Sequence, residues 1–468
     1  MEYTPTIGLE VHAELKTATK MFCSSRNDPD EARPNVNVCP VCMAFPGTLP
    51  VPNKEAIRQV LRMGTAVGGT IADYTEFDRK NYFYPDIPKG FQISQYQFPL
   101  VSGGTLAGIA ITRIHLEEDT ARSQHGGDGF SLIDFNRAGM PLMELVTEPV
   151  IHDATTAGNF ARELQLLLRY IGAGDANMEK GQMRVEANIS VSKDKTLGTK
   201  VEVKNLNSFR SVERAIAFEV DRQIKALEAG EPLVQETRGW DEVKGVTFSQ
   251  RKKENSNDYR YFPEPDIPKF SISRIAEFSN DSLRGSLPEL PWQKRERYIA
   301  LGLKEVDVAV LVEDTNYGLF FETEIVGKIE KGSKLTTATN YLLSDVRGQG
   351  GGKAELDNLS NGVFSELVDL IDAGEISSRG GKDLLGFLMK EKGSPRTLAE
   401  KHGLLQVHDV DLLGKVADEV IQENATVVNE VRAGKEEALK FLVGQGMKKS
   451  KGSANPTELS RILKERIG

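Results

Sequence analysis

Apolar and polar residues alternate through Ile7-Gly8-Leu9-Glu10-Val11-His12-Ala13-Glu14-Leu15. This period of two predicts a β-strand with Glu10, His12 and Glu14 on one face and Leu9 and Val11 on the other. Side chains two residues apart on such a face stand about 7 Å apart, a span that two ligands of one cation can bridge. A polar, solvent-facing hairpin edge would show the same pattern. Further short β-type runs, broken by Gly, Pro and Asn, follow at Gly108–His115, Phe130–Phe135, Met183–Val191 and Lys200–Lys204. Two stretches change to helical spacing: Phe160, Leu164, Leu167, Leu168 and Ile171 ahead of Gly172, then Val212, Ala215, Ile216, Val220, Ile224 and Leu227 ahead of Gly230. Residues 1–290 are therefore expected to form an antiparallel α+β domain. Ser286-Leu287-Pro288-Glu289-Leu290-Pro291 reads as a linker, and beyond it the spacing stays helical. The expected remainder is a helical domain over residues 291–398 and a helical tail over residues 399–468.

Length supports this division, because 468 residues exceed what one core can organise. With 27% charged and 39% hydrophobic residues the chain has the balance of a soluble globular protein. Met1-Glu2-Tyr3-Thr4-Pro5 lacks the basic and apolar regions of a secretory leader, and nowhere do about 18 apolar residues run together. The expectation is a cytoplasmic protein without a membrane partner. Three cysteines, an odd number, argue against a disulfide framework and for metal or free thiols. The net charge of −9 restricts nucleic-acid contact to local patches. One such patch closes the chain, where from Ala438 onward Lys440, Lys448, Lys449, Lys451, Arg461, Lys464 and Arg466 face only Glu458 and Glu465.

Carboxylates recur where a fold does not need them. Ile114-His115-Leu116-Glu117-Glu118-Asp119 ends an apolar strand in a polar cluster, and Glu144 sits inside the apolar run Met140-Pro141-Leu142-Met143-Glu144-Leu145-Val146. An acid there is costly to bury unless Arg137 pairs with it or it binds a cation. Glu186 alternates with apolar neighbours as Glu10 does, and such an oxygen-rich set with one histidine suits Mg²⁺ better than a structural zinc. Arg79 and Lys80 precede the rigid loop Tyr82-Phe83-Tyr84-Pro85-Asp86-Ile87-Pro88-Lys89, and cations beside Mg²⁺ are what phosphoryl transfer requires. That loop is echoed in Tyr259-Arg260-Tyr261-Phe262-Pro263-Glu264-Pro265-Asp266-Ile267-Pro268-Lys269, either as a second packing turn or in a shared ligand-binding role. Gly348-Gln349-Gly350-Gly351-Gly352-Lys353 is not a phosphate-binding loop, because Arg347 replaces its first glycine and Ala354 its Ser/Thr. Cys39-Pro40-Val41-Cys42 with Cys23 upstream fits a Zn²⁺ knuckle, a redox pair being the competing reading.

These stretches, with Val203-Lys204-Asn205-Leu206-Asn207-Ser208-Phe209, Gln235-Glu236-Thr237-Arg238 and Phe441–Pro456, resemble the B subunits of the tRNA-dependent amidotransferases nearly end to end. The resemblance implies a cradle domain, a helical domain and a tRNA-binding tail, assembled as a heterotrimer with an amidase A subunit and a small C subunit. It implies ATP- and Mg²⁺-dependent phosphorylation of the side-chain carboxylate of misacylated Glu-tRNA(Gln) or Asp-tRNA(Asn), followed by amidation with ammonia from the A subunit. Carried onto this sequence, Glu10, His12, Glu118 and Glu144 would hold Mg²⁺, Glu186 would stand close by, and Arg79 and Lys80 would face phosphate. Two departures stand out: Glu186 replaces a frequent Asp, and Ser25 replaces the second cysteine of a Cys-x-Cys pair. Zinc on Cys23, Cys39 and Cys42 is then held with another ligand, bound weakly, or lost. The alternative is a non-catalytic tRNA-binding scaffold with structural acids.

Overall fold

Ile7, Leu9, Val11 and Ala13 have no exposed surface, and the strand that carries them, β1 (Thr4–Glu14), lies inside a mixed sheet. The structure, a computed structural model, describes residues 2–126, 129–194, 196–252, 256–406, 410–450 and 454–468. Its N-terminal part continues through α1 (Lys54–Ala66), β2 (Asp78–Asn81), β3 (Phe91–Ser94), β4 (Ile109–Glu118), β5 (Pro141–Thr147), α2 (Ala154–Tyr170), β6 (Met183–Ser192), β7 (Val201–Leu206), α3 (Phe209–Glu228), β8 (Glu236–Asp241) and β9 (Val246–Lys252). The sheet order is β9, β8, β7, β6, β1, β5, β4, followed by the two-residue strands Val101–Ser102 and Thr70–Ile71. The architecture is α+β, as the alternation of strand and helix periods predicts. One pair departs from antiparallel: β7 and β8 run parallel, because α3 carries the chain back to the starting end of the sheet.

The two faces differ as the alternation requires. On the apolar face Val185, Ala187 and Ile189 continue the row of β1, and α2 and α3 cover it with Phe160, Leu164, Leu167, Val212, Ala215 and Ile216, none of them exposed. Asp153 caps α2 and Ser208 caps α3, each side chain accepting a backbone N–H of the first turn. A third helix, α1, is not among the two expected from spacing. Asn53 caps it, accepting from the Glu55 and Ala56 amides, and Ala56, Val60, Leu61 and Met63 bury its inner side. β5 is likewise a strand where the sequence pattern shows only an apolar run around Glu144.

The chain separates into two compact units, Met1–Pro291 and Trp292–Gly468. In the second unit every named element among the described residues is helical, and outside the helices there are only isolated bridge positions, Ile376 with Leu405 and Ala454. Its last helices, Val410–Glu423, Ala425–Arg432, Glu436–Lys449 and Pro456–Ile467, enclose their own core of Leu413, Val420, Leu442, Leu459 and Leu463. The charge excess expected for this end is partly cancelled. Lys449 pairs with Glu419 and Glu423 at 2.8 and 2.6 Å, Arg461 with Glu458 and Glu465, and Arg466 with Asp418. Counting only from Ala438 omits the acids of the helix that packs alongside. Lys440, Lys448 and Lys464 make no ion pair among the described residues, and Lys451 lies outside them.

Candidate active site on the polar sheet face

The register of three strand pairs assembles the polar face. Opposite His12 stand Glu144 of β5 and Arg184 of β6; opposite Glu10 stands Glu186; opposite Glu144 stands His115 of β4. Since alternate residues of β4 share a face, Arg113, His115 and Glu117 join this surface. His12 Nε2 lies 3.4 Å from Glu144 Oε2, 3.7 Å from Glu117 Oε1 and 3.8 Å from Glu10 Oε1. His115 Nε2 is 3.3 Å from the same Glu144 oxygen and 3.9 Å from Glu117 Oε2. Glu144 is thus common to two groups with metal-ligand spacing, Glu10–His12–Glu144 and His115–Glu117–Glu144.

Glu118, expected among the ligands, is not brought to this cluster. It follows Glu117 on the strand and points to the other side, where it accepts from Lys89 Nζ at 2.7 Å and the Ile93 amide at 2.9 Å. Glu117 takes its place, held by the Ser94 hydroxyl at 2.9 Å. Arg137 does not pair with Glu144 either; it reaches buried Asp119 at 3.5 Å, while Arg113 is the cation near Glu144, also at 3.5 Å. Glu186 is one strand away from His12, bound to Lys204 Nζ at 2.6 Å, and forms a third acidic group with Glu10 and Glu202. His115, Glu117 and Arg113 were missed as site residues, although the alternation in His115-Leu116-Glu117 repeats that of Glu10-Val11-His12.

Arg79 and Lys80 part company for the same reason. Arg79 donates to Glu264 at 2.6 and 2.9 Å and to Asp266 at 3.2 Å, and stacks over Phe91. Lys80 turns inward among Glu117, Glu144, Tyr261 and Tyr82, with its Nζ 5.0 Å from the centre of the Tyr259 ring. Burial opposes its charge, but Glu117, Tyr261 and Glu144 outweigh burial and hold it well above the usual lysine range.

Crowding sets the protonation pattern. Burial, then Glu144 and Glu186, push the Glu10 carboxyl up to about 7. For His12 burial acts against the charge, yet Glu144, Glu10 and Glu117 raise it to about 9. Burial also acts to raise Glu144, and His115 and His12 reverse this, keeping it well below the carboxylate range. The Nδ1 atoms of His12 and His115 are buried without a hydrogen-bond partner. Oxygen donors from three strands, two imidazoles and unsatisfied polar atoms together fit a hard divalent cation.

Glu14, at the end of β1, is buried beside Asp119. Burial and that neighbour raise its carboxyl to about 7, against the pull of Arg137 and Arg184. The folded state therefore keeps a proton that the unfolded chain releases near 4.5. Its stabilising effect is complete below about pH 4.5 and is lost as pH rises through about 7. Glu14→Gln is expected to leave stability unchanged at pH 4.5 and to raise it by about 1–3 kcal/mol at pH 8. Urea unfolding of both proteins at the two pH values checks this, and an equal effect at both would refute it.

Cys23, Cys39 and Cys42 do converge: their sulfurs lie within 4.8 Å of one another. Ser25 Oγ and the Nζ of fully buried Lys20 each stand 3.8 Å from Cys42 Sγ. The set supplies three of the four ligands that a zinc site takes, with the Ser25 hydroxyl beside them.

Fold and site define the class: an α+β protein whose central strands carry a buried carboxylate–histidine cluster flanked by lysine and arginine. Residues 5–276 match the family model of the GatB/GatE catalytic domain, and residues 321–467 that of the GatB domain. The chain is 43% identical to the B subunit of the aspartyl/glutamyl-tRNA(Asn/Gln) amidotransferase from Persephonella marina, covering 99% of each chain. It is 41% identical to the same protein from Gloeothece citriformis, over 100% of this chain and 98% of the relative. The chain belongs to the family of aspartyl/glutamyl-tRNA(Asn/Gln) amidotransferase B subunits.

Proposed function

We propose that this chain is the kinase and transamidation subunit of a tRNA-dependent amidotransferase, a glutamine-dependent amido-ligase acting in translation. The observation that carries this reading is the convergence of Glu10, His12, Glu117 and Glu144 from three strands, with Lys80 against them. A scaffold has no need to bury these groups together, whereas phosphoryl transfer to a carboxylate needs such an arrangement. An oxygen of the aminoacyl side-chain carboxylate attacks the γ-phosphorus of ATP, the bond to the bridging oxygen breaks, and ADP leaves. Ammonia then attacks the acyl carbon and inorganic phosphate departs, giving Gln-tRNA(Gln) or Asn-tRNA(Asn). Lys80 orients and neutralises the phosphoryl oxygens, and Arg113 holds Glu144 in place. Mg²⁺ bound by Glu10, His12, Glu117 and Glu144 would stabilise negative charge on the transferring group.

Ammonia comes from an amidase A subunit, and a small C subunit completes a heterotrimer. The cysteine cluster is proposed as a Zn²⁺ site of structural role. No helix among the described residues is long and apolar enough to cross a membrane, which accords with work in the cytoplasm on tRNA. The test is the assembled complex with ATP, glutamine and misacylated tRNA. Release of ADP together with amidated aminoacyl-tRNA, both dependent on charged tRNA, is expected. Tight tRNA binding without ADP release would instead establish a scaffold. Metal analysis of the same preparation tests the cysteines, since zinc below about one tenth of the protein would overturn that assignment.

A further inference from the structure

The two echoed loops meet over the acid–histidine cluster. Phe262–Pro263 pairs with β2, and the Asn81 amide group donates to the Tyr259 and Arg260 carbonyls at 3.2 and 2.8 Å. Their tyrosines therefore come near Lys80, whose Nζ lies 5.9 Å from the centre of the Tyr82 ring and 5.0 Å from that of Tyr259. Most contacts among these rings are edge-on: Tyr82 to Tyr259 at 5.8 Å and 72°, Tyr82 to Tyr84 at 6.0 Å and 62°, and Tyr259 to Tyr261 at 6.1 Å and 71°. Tyr96 and Tyr261 differ. Their centroids are 4.3 Å apart and their planes 11° from parallel, the only stacked pair of tyrosines among the described residues.

Tyr96 is 51% exposed, although its backbone N–H donates a hydrogen bond to Asp78 Oδ2 at 2.8 Å. The Tyr96 ring is thus stacked on one side yet half open to solvent, while its stacked partner faces Lys80, which in turn faces Glu117 and Glu144. A planar heterocycle laid on this pair would continue the stack and direct its attached ribose and phosphate, or ribose and ester, toward the cluster.

We propose that Tyr96 and Tyr261 form a stacking platform for an adenine ring at the rim of the acid–histidine cluster. This rests on the phosphorylating activity proposed above, whose reactants bring adenine from two sources, ATP and the 3′-terminal adenosine of the tRNA. Aromatic stacking tolerates either source and contributes a few-fold to a hundredfold in affinity. The edge-on tyrosines Tyr82 and Tyr259, whose rings lie 5.9 and 5.0 Å from Lys80 Nζ, serve as its supporting wall.

Binding measured directly on the assembled complex tests the platform without requiring turnover. Titration with ATP forms one arm; titration with uncharged tRNA, intact or lacking its terminal adenosine, forms the other. Tyr96→Leu removes the π-face and keeps apolar bulk. It is expected to weaken ATP binding, or to weaken binding of intact tRNA only, by roughly 5- to 100-fold, with Tyr96→Phe retaining affinity. The affected arm identifies the source of the adenine. Tyr261→Leu, on the other side of the pair, provides an independent variant if Tyr96→Leu unfolds. Affinities within twofold of the parent in both arms for a folded variant overturn the proposal. A parent complex that binds ATP and tRNA normally yet releases no ADP would instead count against the activity, leaving the platform assignment to the binding data.

Discussion

Glu144→Gln is expected to lower charged-tRNA-dependent ADP release on the order of 10³-fold while leaving the protein folded. Its Oε2 lies near both imidazoles, 3.4 Å from His12 and 3.3 Å from His115, and its other oxygen faces Arg113. Glutamine preserves the volume but removes the charge on which both proposed ligand groups depend. The substitution has a second readout. Glu144 contributes most to keeping His12 protonated, so the imidazole should titrate below its parent value of about 9 in the variant. NMR titration of the His12 ring and a steady-state ADP assay check the two effects. An assay within tenfold of the parent would remove Glu144 from the mechanism.

The largest expected loss of stability comes from Glu264→Ala. The Glu264 side chain has no exposed surface and accepts two hydrogen bonds from Arg79 and one from the Asp266 amide. Removing it strands the guanidinium of a side chain that is only 21% exposed, with Asp266 as its remaining acid. A buried pair broken on one side costs about 3–5 kcal/mol, and the water that reaches Arg79 places this case at about 3 kcal/mol. Urea unfolding measures it, and a change below about 1 kcal/mol would show that Asp266 alone suffices. The same geometry explains why Arg79 is unsuited to bind phosphate: its fork is already occupied.

Much of the fold was legible because it is written in local periods. The alternation in β1, the helical spacing before Gly172 and Gly230, and the loss of strand signals after Pro291 each depend only on near neighbours along the chain. The site was legible to the extent that it lies on β1. Glu10 and His12 could be placed on one face from their spacing, but whether Glu117 or Glu118 joined them depends on which parity of β4 faces His12. A one-residue difference reverses every side chain of a strand.

Sequence alone determined that this chain has an α+β part and a helical part, that β1 carries acids and a histidine on one face, and that the chain resembles an amidotransferase component. Tertiary structure decided the partners. Strand register put Glu117 with Glu144 and turned Glu118 toward Lys89; loop pairing brought the two tyrosine-rich echoes together; helix packing set Glu419 and Glu423 against Lys449. The physical reason is common to all three. Backbone propensity and amphipathic period are local energies, whereas the pairing of buried charges is settled only when segments distant along the chain share one low-dielectric surface.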